Sequence, residues 1–314
     1  MNQFLTKLKK QAVWLMLVAI VLVFMVFIEN FASSYNFITI LRQVSNIGIL
    51  SVGMTFVLIA GGIDLSIGSV LPLVGVSAAL MMTKGGMPPA FAFSIGASIG
   101  IVVGLFNGLV ITYTRMPPLI MTLGVGYICR GLAFIATNGY PVYELPAGAR
   151  ILGQGYLFKM IPICVLIMIG VIVLGAVILN QTQLGRQFYA LGGNEEAARL
   201  SGINVKRIRV IAYVFCGFLA GISGIVMMSR LNSGQPLSGS GMEMDALIAC
   251  VIGGISVAGG EGRATGMIGG MLVMGVLANG LAVAGMNEYV QQVIKGSVLV
   301  MVVAVDSLSR LRKN

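Results

Sequence analysis

The chain has 314 residues, a formal charge of +10, and a composition that is 57% hydrophobic and only 10% charged. A soluble domain carries about 25% charged residues, so this composition excludes an ordinary cytosolic enzyme. Histidine is absent, which removes His metal sites and His-based triads. Cys129, Cys164, Cys216 and Cys250 sit singly in apolar runs, without CxxC spacing. They read as small core residues and not as a disulfide framework.

A hydrocarbon core of about 30 Å needs roughly 20 apolar residues per helix. Ten runs are candidates: 11–29, 43–61, 65–82, 90–113, 117–137, 160–180, 209–229, 245–258, 265–285 and 289–306; the eighth is short, and the count is ten within a range of eight to eleven. The predicted fold is an all-α polytopic bundle of about ten transmembrane helices, one transmembrane domain over 1–314. The first run follows a basic stretch like a signal peptide, but it is longer than a usual h-region and reads as a retained span. Only Gly61-Gly62-Ile63-Asp64 separates the second and third runs, so one of that pair could be re-entrant. In the fourth, Gly96, Gly100, Gly104 and Gly108 form a stripe on one face, and Gly217/Gly221 and Gly266/Gly270 repeat the spacing. Such stripes let helix backbones approach closely in lipid.

Between the runs, 138–159 and the Ser/Gly-rich 231–244 are expected outside, as connectors or docking surfaces. The loop 181–208 is the substantial inside segment. Within it Asn194 is a good N-cap, and Glu195 and Glu196 suit the first turn. Arg199 lies within pairing distance of both along a helix, and Gly202 can end the helix in the left-handed conformation. A two-turn helix over 195–201 follows. It is too short to stand alone and needs a packing partner.

Lys and Arg bias fixes the expected orientation. With the N-terminus inside, the inside segments hold Lys7, Lys9, Lys10, Arg115, Arg186, Arg199, Lys206, Arg207, Arg209, Arg263, Arg310, Arg312 and Lys313. The outside segments hold Arg42, Lys84, Arg150, Lys159 and Arg230, while Arg130 and Lys295 lie toward outer span ends. Both termini are therefore expected to be cytoplasmic. Nucleic-acid binding needs a basic groove with stacking aromatics, and none is present.

The ten acids, among them Asp64, Glu243 and Asp245, are placed at span ends or in loops by these boundaries. An ion-coupled carrier normally holds ionisable groups inside the membrane, so that mechanism has little to use. No GxxxxGK[ST] phosphate loop occurs. Uphill transport would then draw energy from another polypeptide, with the helix at 195–201 as its contact.

Glu196-Ala197-Ala198-x-x-x-Gly202 resembles the first half of the "EAA" loop of bacterial ABC importer permeases. The Ile and Leu-Pro of its second half are missing. The segment LGGNEEAARLSGINV (191–205) is instead similar to the version in permeases for ribose, galactose, xylose and related simple sugars. VGMTFVLIAGGIDLSIGS (52–69), TNGYPV (137–142) and MDALIACVIGGISVAGGEGR (244–263) agree, in order, over nearly the whole chain. Branched-chain amino acid permeases are the nearest confusable relatives. A secondary carrier and an intramembrane enzyme are the remaining alternatives.

The resemblance implies a multi-pass permease of the bacterial inner membrane, importing a pentose or hexose. Its implied partners are a cytosolic ABC ATPase, a periplasmic sugar-binding protein and a second permease subunit, expected as a homodimer. ATP and Mg would sit on the ATPase, with no cofactor on this chain. Asn194, Glu195, Glu196, Ala197, Ala198, Arg199 and Gly202 are the expected coupling helix. Asp64 and Asp245 are expected as helix caps or as gate residues. Among the few polar groups within spans, Asn107 and Asn279 are the candidates for the translocation pathway, with interhelical hydrogen bonding as the alternative for both.

Overall fold

The computed structural model describes residues 2–311, with side chains described for 12–301 and for Ala304. The side chains of Lys7, Lys9, Lys10, Arg310, Arg312 and Lys313, used above for orientation, lie outside the described residues. The helices are α1 (Asn2–Phe27), α2 (Ser34–Ile59), α3 (Ile67–Thr83), α4 (Pro89–Thr114), α5 (Pro118–Thr137), α6 (Ile151–Gln154), α7 (Ile163–Gln181), α8 (Gln183–Gly193), α9 (Glu195–Leu200), α10 (Val205–Leu231), α11 (Met242–Ile252), α12 (Ala264–Val283) and α13 (Glu288–Leu311). A short antiparallel pair, β1 (Tyr156–Leu157) with β2 (Ile161–Pro162), interrupts the otherwise helical chain. Among the described residues, six helices are long and apolar enough to cross a membrane: α2, α4, α5, α7, α10 and α12. The chain is a polytopic helical membrane protein.

Local chemistry sets the helix ends. The Ser33 hydroxyl accepts from Asn36 N–H at 3.2 Å and opens α2. Proline begins α4 and α5, where its missing N–H costs nothing. Left-handed Arg115, Asn138 and Asn232 stop α4, α5 and α10. Helix α2 is apolar on all sides and buried from Val44 to Ile59, as a central helix should be. Around it pack α7, α10, α11 and α12.

The glycine stripe of α4 meets that of α10. A Cβ on Gly217 would lie 2.8 Å from Gly104 Cα, and one on Gly108 would lie 2.9 Å from Val210 Cα. Gly100 faces the Gly217 carbonyl and Gly221. Gly266 and Gly270 form a second close seam, against Ala249 of α11 and Gly253 just past its end.

The segment 232–241 departs from the expected outer connector. Val142 N–H donates to Gly234 O at 2.8 Å, and Gly234 N–H returns the bond at 2.9 Å. From there the chain runs back along α3. Gly234 abuts Val76 and Ala79, and Gly239 abuts Gly68 and Leu71. Gly68 to Ala79 is about 16 Å of helix at ~1.5 Å per residue, roughly half the hydrocarbon thickness. Helix α11 therefore starts inside the bundle. The eighth apolar run, expected as a span over 245–258, is helical only over Met242–Ile252. An extended segment, 232–241, and a short helix, Met242–Ile252, thus follow one another along α3. Non-helical backbone at this depth is tolerated only where protein or a water-filled cavity covers it, and α3 supplies the cover.

Candidate translocation and coupling sites

At the α8–α9 end, Thr182 caps α8 and Asn194 caps α9, its side chain accepting from Ala197 N–H at 3.0 Å. Gly202 at φ +82° closes α9. Its N–H donates to Arg199 O and the Ile203 N–H donates to Ala198 O, both near 3 Å. That pair of bonds is the Schellman closure. Arg199 pairs with Glu196 along the helix, and Arg209 of α10 pairs with Glu195. Ala198 is the buried residue of α9, whereas Leu200 is 80% exposed. Beside α9 lies a recess of about 530 Å³ whose lining includes Arg115, Arg199, Lys206 and Arg209.

Behind α9 the backbone meets backbone. Gly260 N–H donates to Ile59 O at 3.0 Å. A Cβ on Gly259 would lie 2.8 Å from Gly61 Cα, and one on Gly260 would lie 2.6 Å from Gly193 Cα. Tyr189 of α8 donates to Gly262 O at 3.0 Å, and burial pushes its phenol above the usual range, opposed in part by Arg263.

Asp64 is fully buried. Its Oδ1 accepts from the Ser66 N–H at 3.0 Å and from the Ser66 hydroxyl at 2.5 Å. The cap position of α3 itself belongs to Ser66. Asn107 of α4 donates to Ser66 Oγ at 2.9 Å and to Asp64 Oδ1 at 3.5 Å. Leu65 N–H donates to Thr122 Oγ1 of α5 at 3.2 Å. Asp64 and Asn107, 43 residues apart, thus belong to one polar knot tying the α2–α3 corner to α4 and α5. Asn107 Oδ1 has no hydrogen-bond partner. Asn279 stands apart from this knot in α12, buried, its Oδ1 also without a partner.

Asp245 does not cap α11. Gly241, left-handed at φ +81°, holds the cap position, and the Asp245 carboxylate accepts from Lys295 Nζ of α13 at 2.8 Å. The helix begins upstream of Asp245 because the re-entrant segment turns at glycine. Two acids expected at a span end, Glu243 and Asp245, consequently lie within the bundle: Asp245 is buried, and Glu243 rests against Gly68 of α3. Sequence reasoning passed over Glu243, Arg130 and Lys295 as functional groups. The available signal was an ionisable residue inside or beside an apolar run, three times over.

The family model described as the branched-chain amino acid transport system / permease component matches residues 36–303. The chain is 40% identical over 301 residues to the ribose import permease protein RbsC of Bacillus subtilis (strain 168), covering 95% of this chain and 93% of that protein. It is 41% identical over 285 residues to RbsC of Escherichia coli (strain K12), covering 88% and 87%. To the xylose transport system permease protein XylH of Haemophilus influenzae it is 31% identical over 363 residues, covering 95% and 96%. No solved structure matches the chain. With a family model spanning most of its length and permeases similar along nearly all of it, this chain belongs to the branched-chain amino acid transport system permease-component family, as a transport component and not an enzyme.

Proposed function

We propose that this chain is the membrane-spanning permease subunit of an ATP-driven importer for a simple sugar, a pentose such as ribose or xylose before a hexose. The observation that carries the reading is the 40% identity to a ribose import permease across 95% of the chain. The family model's own description names branched-chain amino acids, and the similarity to ribose and xylose permeases favours sugar over that alternative. The membrane is the bacterial inner membrane, crossed ten times with both termini cytoplasmic, and the broken segment 232–252 counts as one crossing.

The energy source is a separate cytosolic ATPase, which holds ATP and Mg, leaving this chain without a cofactor. Asn194, Glu195, Glu196, Ala197, Ala198, Arg199 and Gly202 form the coupling element. The exposed Leu200 and the neighbouring basic recess support that role, since so short a helix depends on packing. A periplasmic sugar-binding protein delivers the cargo, and two copies of this chain form the path. Asp64 and Asn107 act as a gate at the α2–α3 corner. Asn279 is a pathway contact, supported by its unpartnered oxygen. Asp245 joins the gate through its pair with Lys295.

ATP-dependent uptake of labelled ribose, xylose and galactose tests this reading. The vesicles carry the chain, its ATPase and its binding protein. Uptake that requires both partners is the expected result. Uptake that persists without the ATPase and follows an ion gradient overturns it in favour of a secondary carrier. Uptake of leucine in place of sugar overturns the cargo.

A further inference from the structure

Two helices of this bundle begin inside it and not at its surface. Helix α3 starts at Ile67, after the buried turn at Asp64, and α11 starts at Met242, after the re-entrant segment. Their first turns touch, because the Glu243 carboxylate lies against Gly68. Broken helices that meet at mid-depth are how many transporters build a cargo site.

Two recesses flank that junction, and Glu243 lines both. The smaller, about 130 Å³, lies between α3, α5 and α11, with Arg130, Tyr127 and Ser69 on its wall. The larger, about 480 Å³, lies between α11 and α13, with Asp245, Lys295 and Gln291. Arg130 and Glu243 share the smaller recess without forming an ion pair. Arg130 Nε and Glu243 Oε2 are both buried without a hydrogen-bond partner, although Arg130 Nη1 reaches Ser240 Oγ at 3.3 Å. The two residues therefore line one recess, and each keeps an unpaired polar atom buried beside it.

Resting on the sugar-importer reading above, we propose that Arg130 and Glu243, with the adjoining Asp245–Lys295 pair, bind the hydroxyls of the transported polyol at mid-membrane. Each hydroxyl both donates and accepts, so it bridges a guanidinium and a carboxylate that do not reach each other. Arg130 and Lys295 balance Glu243 and Asp245 in charge, which suits a neutral cargo better than an ion. The Tyr127 ring, 78% exposed, offers an apolar face for the C–H side of a sugar. Charged groups at this depth must face protein or a water-filled cavity, and the two recesses provide one. Affinity stays low because Asp245 and Lys295 already satisfy each other.

Saturation-transfer NMR suits weak binding. The full chain in lipid nanodiscs is offered D-ribose, D-xylose or leucine. The expected result is saturation of the pentose ring protons by the wild type. Glu243→Gln should reduce it by roughly tenfold or more, the loss expected for a hydrogen bond to a charged group. Arg130→Lys, which keeps the charge and loses the planar fork, should give an intermediate reduction. Thermal unfolding of both variants checks that they fold. Undiminished pentose saturation in both variants overturns the site while leaving the sugar reading intact. Saturation by leucine and not by pentose overturns both. Absence of saturation by any solute overturns the site alone, because the uptake assay still judges the function.

Discussion

Gly104→Ala should separate the packing role of the α4–α10 seam from mere glycine content. A methyl at Gly104 would fall inside contact with the Tyr213 carbonyl oxygen, 3.0 Å from its carbon and 3.1 Å from Val214 Cα. Carbon atoms pack best at about 3.5–4.0 Å, so the helices must part by at least about half an ångström. The obstacle is backbone, which cannot rotate aside as a side chain can. Overpacking costs about 1–3 kcal/mol, and this site belongs at the upper end. Alanine returns up to ~1 kcal/mol of helix propensity, leaving a net loss of about 1–2 kcal/mol. Gly124 in α5 has nothing within 4 Å of an added Cβ, so Gly124→Ala should be neutral or stabilising. The assay is thermal unfolding in detergent, read by maleimide labelling of Cys129, Cys164, Cys216 and Cys250, all free and buried. Gly104→Ala unfolding at the same temperature as Gly124→Ala would refute the close-packed seam.

The double variant Glu196→Lys/Gly202→Asp should abolish ATP-driven uptake while the chain still assembles with its ATPase, at a modest loss of stability because Gly202 sits at φ +82° and Glu196 pairs with Arg199; retained uptake would remove α9 from coupling. Removing one partner of the partly buried Asp245–Lys295 pair, as in Lys295→Met, should cost about 1–3 kcal/mol, the range for losing a hydrogen bond to a charged group, and the exchange Asp245→Lys/Lys295→Asp should recover part of it, both read by the same unfolding assay. Tyr189→Phe should cost about 1 kcal/mol, the worth of one hydrogen bond. Because burial raises the Tyr189 phenol above the ordinary value near 10, the unfolded chain ionises first as pH rises. Its contribution is fully present below about pH 10 and declines above it, and the phenylalanine variant should lose that alkaline dependence. Gly192→Ala, whose methyl would strike Ile59 O and come within 2.5 Å of Gly260 N, should lower uptake per ATP hydrolysed, whereas Gly193→Ala, open within 4 Å, should not.

Helix placement was legible because apolar length is a strong signal, and each apolar run carries a helix. The glycine stripes were legible for the same reason: a four-residue period needs no knowledge of the partner. The partner itself, α10 for α4, needed the folded chain. What escaped was the path of 232–241. Serine and glycine look alike to a hydropathy window whether they face water or the flank of α3. That one misplacement moved Glu243 and Asp245 to the surface, and it hid Arg130 and Lys295 as their neighbours. The pair Asp245–Lys295 spans 50 residues, and Arg130–Ser240 spans 110. No local pattern announces such distances. Cargo was legible only through resemblance, because sugar and amino acid permeases share their general build.

The contact of Gly61, Gly192, Gly193, Gly259 and Gly260 has a mechanical meaning. Side chains are compliant: they change rotamer and absorb small displacements. Main chain resting on main chain has no such slack, and packed interiors are nearly incompressible. On the coupling role proposed above, a push on α9 would therefore arrive at the end of α2 and at the loop below α11 with little loss of stroke. The same loop continues into α11, whose other end carries Glu243 beside α3. A stiff linkage thus runs from the surface helix to the middle of the bundle, and its travel is set by backbone geometry.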